Sequence, residues 1–207
     1  MYARSTTVRG NPQSLDDAIA YLRDEVMPAV QEMDGCIGLS MLCDRDSGRC
    51  IATTAWETEE AMHNSEGRVH DMRQRYAEMM GGGRPEVQEW EIGILHRVHP
   101  APEGACCRVI WGRTDPANIE RVLDAYRMAL LPRMEDLPGF CSVSLLVDRE
   151  SGRSVSAVVY ESRDAMLRAT EMGKALREDF SRQMATEITD IAEFDLALAH
   201  LRVPETV

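Results

Sequence analysis

The sequence is short of positive charge. Its 207 residues carry 23 Lys and Arg against 35 Asp and Glu, a formal net charge of -12, and Lys174 is the sole lysine. A chain this acidic repels phosphate backbones and anionic membrane surfaces, which argues against nucleic acid or membrane as a partner. No apolar run approaches the roughly 18 to 20 residues of a membrane span. The opening residues, MYARSTTVRGNPQS, hold no signal-peptide core, so a cytoplasmic protein is expected. The six cysteines form no CxxC pair and no zinc-finger spacing, so no metal site is expected; they read as small buried hydrophobes. Cys43 and Cys50 flank one polar loop, within geometric reach of a disulfide if that loop is a hairpin. There is no glycine-rich phosphate loop and no nucleophile elbow. Gly81, Gly82 and Gly83 follow a helical pattern and read as a stop signal.

What is present is an ordinary globular composition, 44% hydrophobic and 28% charged, and a repeat. DRDSGR at 44–49 returns as DRESGR at 148–153. Sliding the chain by 104 residues, the step from Gly35 to Gly139, superposes far more than this loop. Arg4 falls on Arg108, Pro12 on Pro116, Pro28 on Pro132, Ser40 on Ser144, Arg73 on Arg177, Glu89 on Glu193 and His96 on His200, with no gap. The chain is two copies of one unit: residues 1–98 and 105–207, joined by HPAPEG at 99–104, a Pro- and Gly-bearing linker.

Within one copy, ARSTTVR (3–9) and its partner CRVIWGR (107–113) read as strands. NPQS and DPAN supply a turn and helix-start chemistry. Residues 14–33 repeat apolar side chains at three- and four-residue steps (Leu15, Ile19, Leu22, Val26, Val30), which predicts a helix that kinks or breaks at Pro28. CIGLSML and CIATTAW are strands around the polar loop, so the loop is a hairpin. Residues 58–80 predict a second helix opened by Thr58, with acids in its first turn. EVQEWEIGILHR (86–97) is the last strand; its alternation predicts Trp90, Ile92 and Ile94 on the helix-covered face, with Glu89 and Glu91 opposite. The order β-α-β-β-α-β is the ferredoxin-like split βαβ unit, four antiparallel strands with helices on one face. The other face needs cover. The fold class expected is therefore α+β: two ferredoxin-like repeats packed sheet to sheet as an intramolecular pseudo-dimeric α/β barrel.

MDGCIGLSML and LPGFCSVSLL, the two hexapeptide hairpins, and AWETEEAM and VYESRDAM at the strand-to-helix junctions together resemble the dimeric α/β-barrel superfamily, nearest its antibiotic-biosynthesis-monooxygenase type. The resemblance covers both halves and implies a pseudo-dimer made within one polypeptide. It implies three activities between which fold alone does not choose: cofactor-free oxygenation of aromatic molecules, haem degradation, or no chemistry.

The haem-degrading branch uses an Asn on the first strand and a Trp and a His on the second helix. Here Ser5, Thr6 and Thr7 stand on that strand, the Trp position falls near Ser65, and only His63 and His70 offer a ligand; the second copy has Leu167 and Lys174 in their places. Haem is thus a third option beside a protein that needs no cofactor. The cofactor-free branch needs an apolar slot, polar groups near a phenol oxygen and exclusion of water. His63 and His70 are the candidate catalytic residues. Trp56, Asn64, Tyr76, Trp111, Arg4, Arg108, Glu89 and Glu193 are the candidate ligand-binding residues. Each has a plainer reading as core, rim or salt bridge. Arg4 and Arg108 are natural partners for the acids of the last strands. His63, Asn64 and His70 have no counterparts in the second copy, so at most one of two once-equivalent sites is expected to be active. The expected partner is a small apolar or aromatic molecule. The rival is a non-catalytic ligand-binding or assembly module of the same fold. Exposed strand edges and abundant methionine allow the chain to pair further as a homo-oligomer.

Overall fold

The computed structural model describes residues 1–201 and 204–206. The first repeat runs β1 (Tyr2–Arg9), α1 (Leu15–Tyr21), α2 (Met27–Gln31), β2 (Cys36–Cys43), β3 (Arg49–Trp56), α3 (Glu59–Asn64), α4 (Glu66–Met79) and β4 (Glu86–Arg97). The second repeats it: β5 (Cys106–Arg113), α5 (Ile119–Ala125), α6 (Leu131–Met134), β6 (Phe140–Asp148), β7 (Arg153–Tyr160), α7 (Arg163–Arg168), α8 (Thr170–Met184) and β8 (Glu187–Leu201). The hydrogen-bonded strand order, β1-β3-β2-β8-β5-β7-β6-β4, is that of a closed barrel, so the α+β class and the tandem βαββαβ barrel stand as expected.

By its contacts the chain forms two compact units. The first holds residues 1–90 together with the strand segment from Asp195; the second holds 91–194 with residues 204–206. The long strands β4 and β8 each contribute a half to either unit. Within the second unit β4 pairs antiparallel with β6, from Glu91 opposite Val147 to Arg97 opposite Ser142. Within the first, β8 pairs with β2, Cys43 lying opposite Asp195.

The predicted helix over 14–33 is broken sooner than expected. A π-helical turn, Leu22–Val26, precedes α2 and places Pro28 in its first turn; Tyr126–Leu130 does the same ahead of Pro132. Proline has no N–H for the carbonyl four residues back, and its ring crowds that carbonyl, so the ladder widens by one residue just before it. Thr58 caps α3 as the sequence indicates, its Oγ1 accepting from the Ala61 N–H at 3.1 Å. The helix is interrupted at Ser65, which parts α3 from α4.

The repeated hexapeptide recurs because its glycine is docked. Gly48 and Gly152 hold φ of +70° and +72°. A Cβ on either would come within 2.0 Å of a carbonyl oxygen at the β1–α1 or β5–α5 corner, that of Gly10 or Thr114. The loop thus closes onto the next corner through Gly10 N–H to Gly48 O at 3.1 Å and Thr114 N–H to Gly152 O at 2.9 Å. The aspartate ties the rest: Asp148 accepts from the backbone N–H groups of Glu150 (3.1 Å) and Ser151 (3.2 Å) and from Arg153 Nη2 at 3.0 Å.

Burial alone would raise the pKa of Asp148, but the hydrogen bonds from Ser151 and Arg153 outweigh it and pull the carboxyl down to about 2. A folded value below the ordinary 3.8 means that this group's contribution is complete above pH 3.8 and fades as pH falls toward 2. Acid unfolding of D148N, followed by circular dichroism, should lose that portion of the pH dependence. An acid profile identical to the parent's would count against the role given to this loop.

One face assignment is reversed. Arg4 reaches the helical layer, its Nη2 donating to Met62 O and its Nη1 to Ser65 Oγ, both at 3.0 Å. Glu89 meets Arg4 there, at 3.0 Å from Nε and 2.8 Å from Nη2. Glu89 therefore lies on the helix-covered face, and Trp90 on the other, where its Nε1 donates to Ser5 Oγ at 2.8 Å. Phe194 follows Trp90: its ring lies edge-on to Trp111, centroids 6.5 Å apart. A register shift between Ile92 and Ile94 then restores apolar residues to the helix side, and Ile94 joins the core around Leu123 and Met166. Cys43 and Cys50 do face each other across the hairpin, as free thiols with their Sγ atoms 3.2 Å apart.

Candidate functional site

Each unit has a partly open cavity between its sheet and its helices, at the same place in the repeat. In the first unit it is a remnant of about 40 Å³, lined by Arg4, Leu22, Val69, Arg73 and Tyr76 among others. In the second it is about 90 Å³, and the 104-residue shift carries those residues to Arg108, Tyr126, Gly173, Arg177 and Phe180. The enlargement has a local cause. Val69, buried in α4, becomes Gly173 in α8, and the volume of its side chain is given up to the cavity.

The walls are apolar and aromatic. Phe180 stands edge-on to Tyr126, centroids 5.6 Å apart, and Leu130, Met134 and Leu176 complete the greasy side. Tyr126 is fixed by a 2.8 Å hydrogen bond between its hydroxyl and Ser156 Oγ. The opposite end is polar. Arg108, 3% exposed, is held by Glu193 at 3.1 Å from Nε and 2.6 Å from Nη2. Tyr160 and Arg177 stand beside it. Burial pushes the Tyr160 phenol up, with the two arginines pulling the other way. Burial, and then the charge of Arg108, pull Arg177 below the usual guanidinium range.

The expected site residues separate into groups. Arg108 with Glu193, and Arg4 with Glu89, form the ion pairs anticipated from the sequence, and only the two arginines reach a cavity. Tyr76 lines the small first cavity. Trp56 is fully buried in the first core and donates to Thr54 Oγ1 at 3.0 Å. Trp111 packs on Phe194, on the sheet face away from the helices. Asn64 lines a separate open groove beside α3. His63 and His70 are about half exposed; His63 Nε2 lies 3.0 Å from Glu89 Oε2, and His70 Nδ1 lies 3.9 Å from Glu66. Burial would raise the Glu89 carboxyl, but its bonds from Arg4 and His63 hold it below the usual range. Neither histidine lines either of the two cavities.

Sequence reasoning missed Tyr126, Gly173, Arg177 and Phe180. The signal was present in the repeat: Arg73 is kept as Arg177 while its neighbours Glu66 and Val69 become Thr170 and Gly173.

Among the described residues no histidine or cysteine lines either cavity, so the residues present do not fit a histidine- or thiolate-ligated haem. Among the described residues no group of three His, Cys, Asp or Glu side chains is placed to hold a metal ion, and no helix is long and apolar enough to cross a membrane.

Two βαββαβ repeats closed into one eight-stranded ring define a tandem dimeric α/β barrel. The family model described as antibiotic biosynthesis monooxygenase matches residues 1–79, within the first repeat, and the chain belongs to one family with a mycobacterial protein of almost equal length. It is 52% identical over its whole length to the uncharacterized protein Rv2557 of Mycobacterium tuberculosis, covering 92% of that protein. Among solved structures it is similar to an anthrone oxidase-like protein, with 13% identity, a TM-score of 0.65, and coverage of 97% of this chain and 92% of that one. It is also similar to a heme-degrading enzyme of Listeria monocytogenes, with 10% identity, a TM-score of 0.52, and coverage of 95% and 99%. At these identities the two structures speak for the fold alone.

Proposed function

We propose that the second unit's cavity takes up a small aromatic or apolar molecule, and that the chain oxidises it with O₂ as a cofactor-independent monooxygenase. One observation carries this reading: the cavity is about twice as large in the second copy, about 90 against about 40 Å³, with aromatic walls and a cationic end. Apolar walls exclude water and hold a flat ring. The positive charge of Arg108 and Arg177 favours the ionised form of a bound hydroxyarene, and an electron-rich ring of that kind reacts with O₂ directly. For 1-naphthol as probe the balance is simple. The ring carbon para to the hydroxyl loses its hydrogen and gains one oxygen atom. The other oxygen atom leaves as water with that hydrogen and the hydroxyl hydrogen, giving 1,4-naphthoquinone.

A second reading, binding without chemistry, is favoured by a different observation: among the described residues no histidine, aspartate or glutamate lines this cavity to serve as base. Oxygen uptake separates the two. With 1-naphthol and no added cofactor, the oxygenase reading expects one O₂ consumed per quinone formed. Binding of 1-naphthol without oxygen uptake would leave the binding module. Neither binding nor uptake would overturn both.

A further inference from the structure

In the first unit the polar corner of the cavity is neutralised from within. Arg73 donates from both terminal nitrogens to the two oxygens of Glu66, each at 3.0 Å. Arg4 Nη1 bonds Ser65 Oγ at 3.0 Å and lies 3.2 Å from Glu66 Oε2. The same carboxylate thus bridges two arginines, and Arg73 holds it below its usual pKa range. Val69 fills the space alongside.

In the second unit both arginines persist, Arg108 Nη2 still donating to Met166 O at 3.4 Å, but the hydroxyl and the carboxylate that held them in the first unit are gone. Ser65 and Glu66 are replaced by Ala169 and Thr170. Arg108 Nη1 is buried without a hydrogen-bond partner. Among the described residues no carboxylate lies within ion-pairing distance of Arg177; its neighbour Glu178 lies 4.0 Å from Lys174. Thr170 Oγ1 accepts from Arg108 Nη2 at 3.1 Å and brings no charge. Gly173 in place of Val69 opens the corner: a methyl group there would lie 3.6 Å from Arg177 Nη1, 3.9 Å from Arg108 Nη1 and 4.0 Å from Tyr160 Oη. Arg177 Nη1, Arg108 Nη1 and Tyr160 Oη thus border the space that Gly173 leaves beside the aromatic cavity. Glu193 neutralises one guanidinium, which leaves the other in excess. A half-buried cation and an unpaired buried donor both favour an anion.

We infer that this corner binds the carboxylate of an aromatic acid, which takes the place Glu66 holds in the first unit, accepting from Arg108 Nη1, Arg177 and Tyr160 while its ring lies against the apolar wall that Tyr126, Leu176 and Phe180 help to form. The inference rests on the cavity being the ligand site and narrows its ligand to an acid. Paired guanidinium donors recognise a carboxylate bidentately.

Benzoate and its neutral isostere benzamide test it, titrated calorimetrically against the whole chain. The wild type should bind benzoate at least about tenfold more tightly than benzamide, as a charge-assisted pair requires. R177Q should abolish that preference, bringing the two affinities level. T170E, which restores the internal carboxylate of the first unit, should do the same, and it adds an acid at a helix start where acids are tolerated. Equal affinity for the two probes would overturn the carboxylate site and leave the cavity reading standing. Benzoate preferred equally by wild type, R177Q and T170E would place the anion elsewhere and also overturn it. Binding of neither probe would overturn the cavity reading and the carboxylate site together.

Discussion

Replacing Gly173 with valine should lower affinity for 1-naphthol by about ten- to a hundredfold, the cost of overpacking a filled site, and should leave the fold intact. The first unit is the precedent: Val69 occupies that position, and the cavity beside it shrinks to about 40 Å³. A Cβ on Gly173 meets nothing closer than 3.6 Å, so the side chain enters space that is open in the free protein. The backbone does not resist, since Gly173 sits inside α8, and a glycine in a helix interior costs about 0.5–1 kcal/mol relative to alanine, part of which valine recovers. Fluorescence titration and a thermal melt on the same sample separate binding from folding. A G173V protein that melts like its parent and binds 1-naphthol equally well would remove the second cavity from consideration.

The second large effect is on stability. Trp56→Ala is expected to cost about 3–5 kcal/mol, the range for removing a fully buried aromatic side chain. Trp56 ends β3 with no exposed surface, and its Nε1–H holds Thr54, whose hydroxyl in turn donates to Arg4 O at 3.5 Å. Truncation leaves a void and an unanchored hydroxyl under the strand that carries Arg4. Urea unfolding measures the loss. Binding of 1-naphthol at low denaturant should be unchanged, because Trp56 lies in the other unit from the proposed site. A stable W56A that no longer binds would restore Trp56 to the ligand wall.

Much of the fold was legible because the chain states it twice. Pro28 and Pro132, Gly48 and Gly152, and the paired hexapeptides fix the same elements in both copies, and chemistry that recurs at one spacing is hard to misread. The pairing of Arg4 with Glu89 and of Arg108 with Glu193 was legible for the same reason. Their face was not. An alternating strand tells which residues share a side, and the presence of Trp90 suggested which side was the core. In fact both sides of β4 are covered, and the carbonyl and hydroxyl at the end of α3, Met62 O and Ser65 Oγ, hold the arginine on the helical side.

The site was legible only in part, since a cavity is made by what is missing. His63, Asn64 and His70 drew attention as chemically rich residues unique to one copy, yet they stand on the outside. The proposed corner arises by subtraction: Glu66 to Thr170, Val69 to Gly173, Ser65 to Ala169. Only the three-dimensional neighbourhood of Arg108 shows that these losses fall on one corner.

The account stands on the claim that function resides in the second unit's cavity. Backbone amide NMR during titration with 1-naphthol tests this most directly. The account predicts shifts concentrated at Tyr126, Gly173, Leu176 and Phe180, with Leu22, Val69, Met72 and Tyr76 unmoved. Shifts centred on His63, Asn64 and His70, or spread equally over both units, would contradict it.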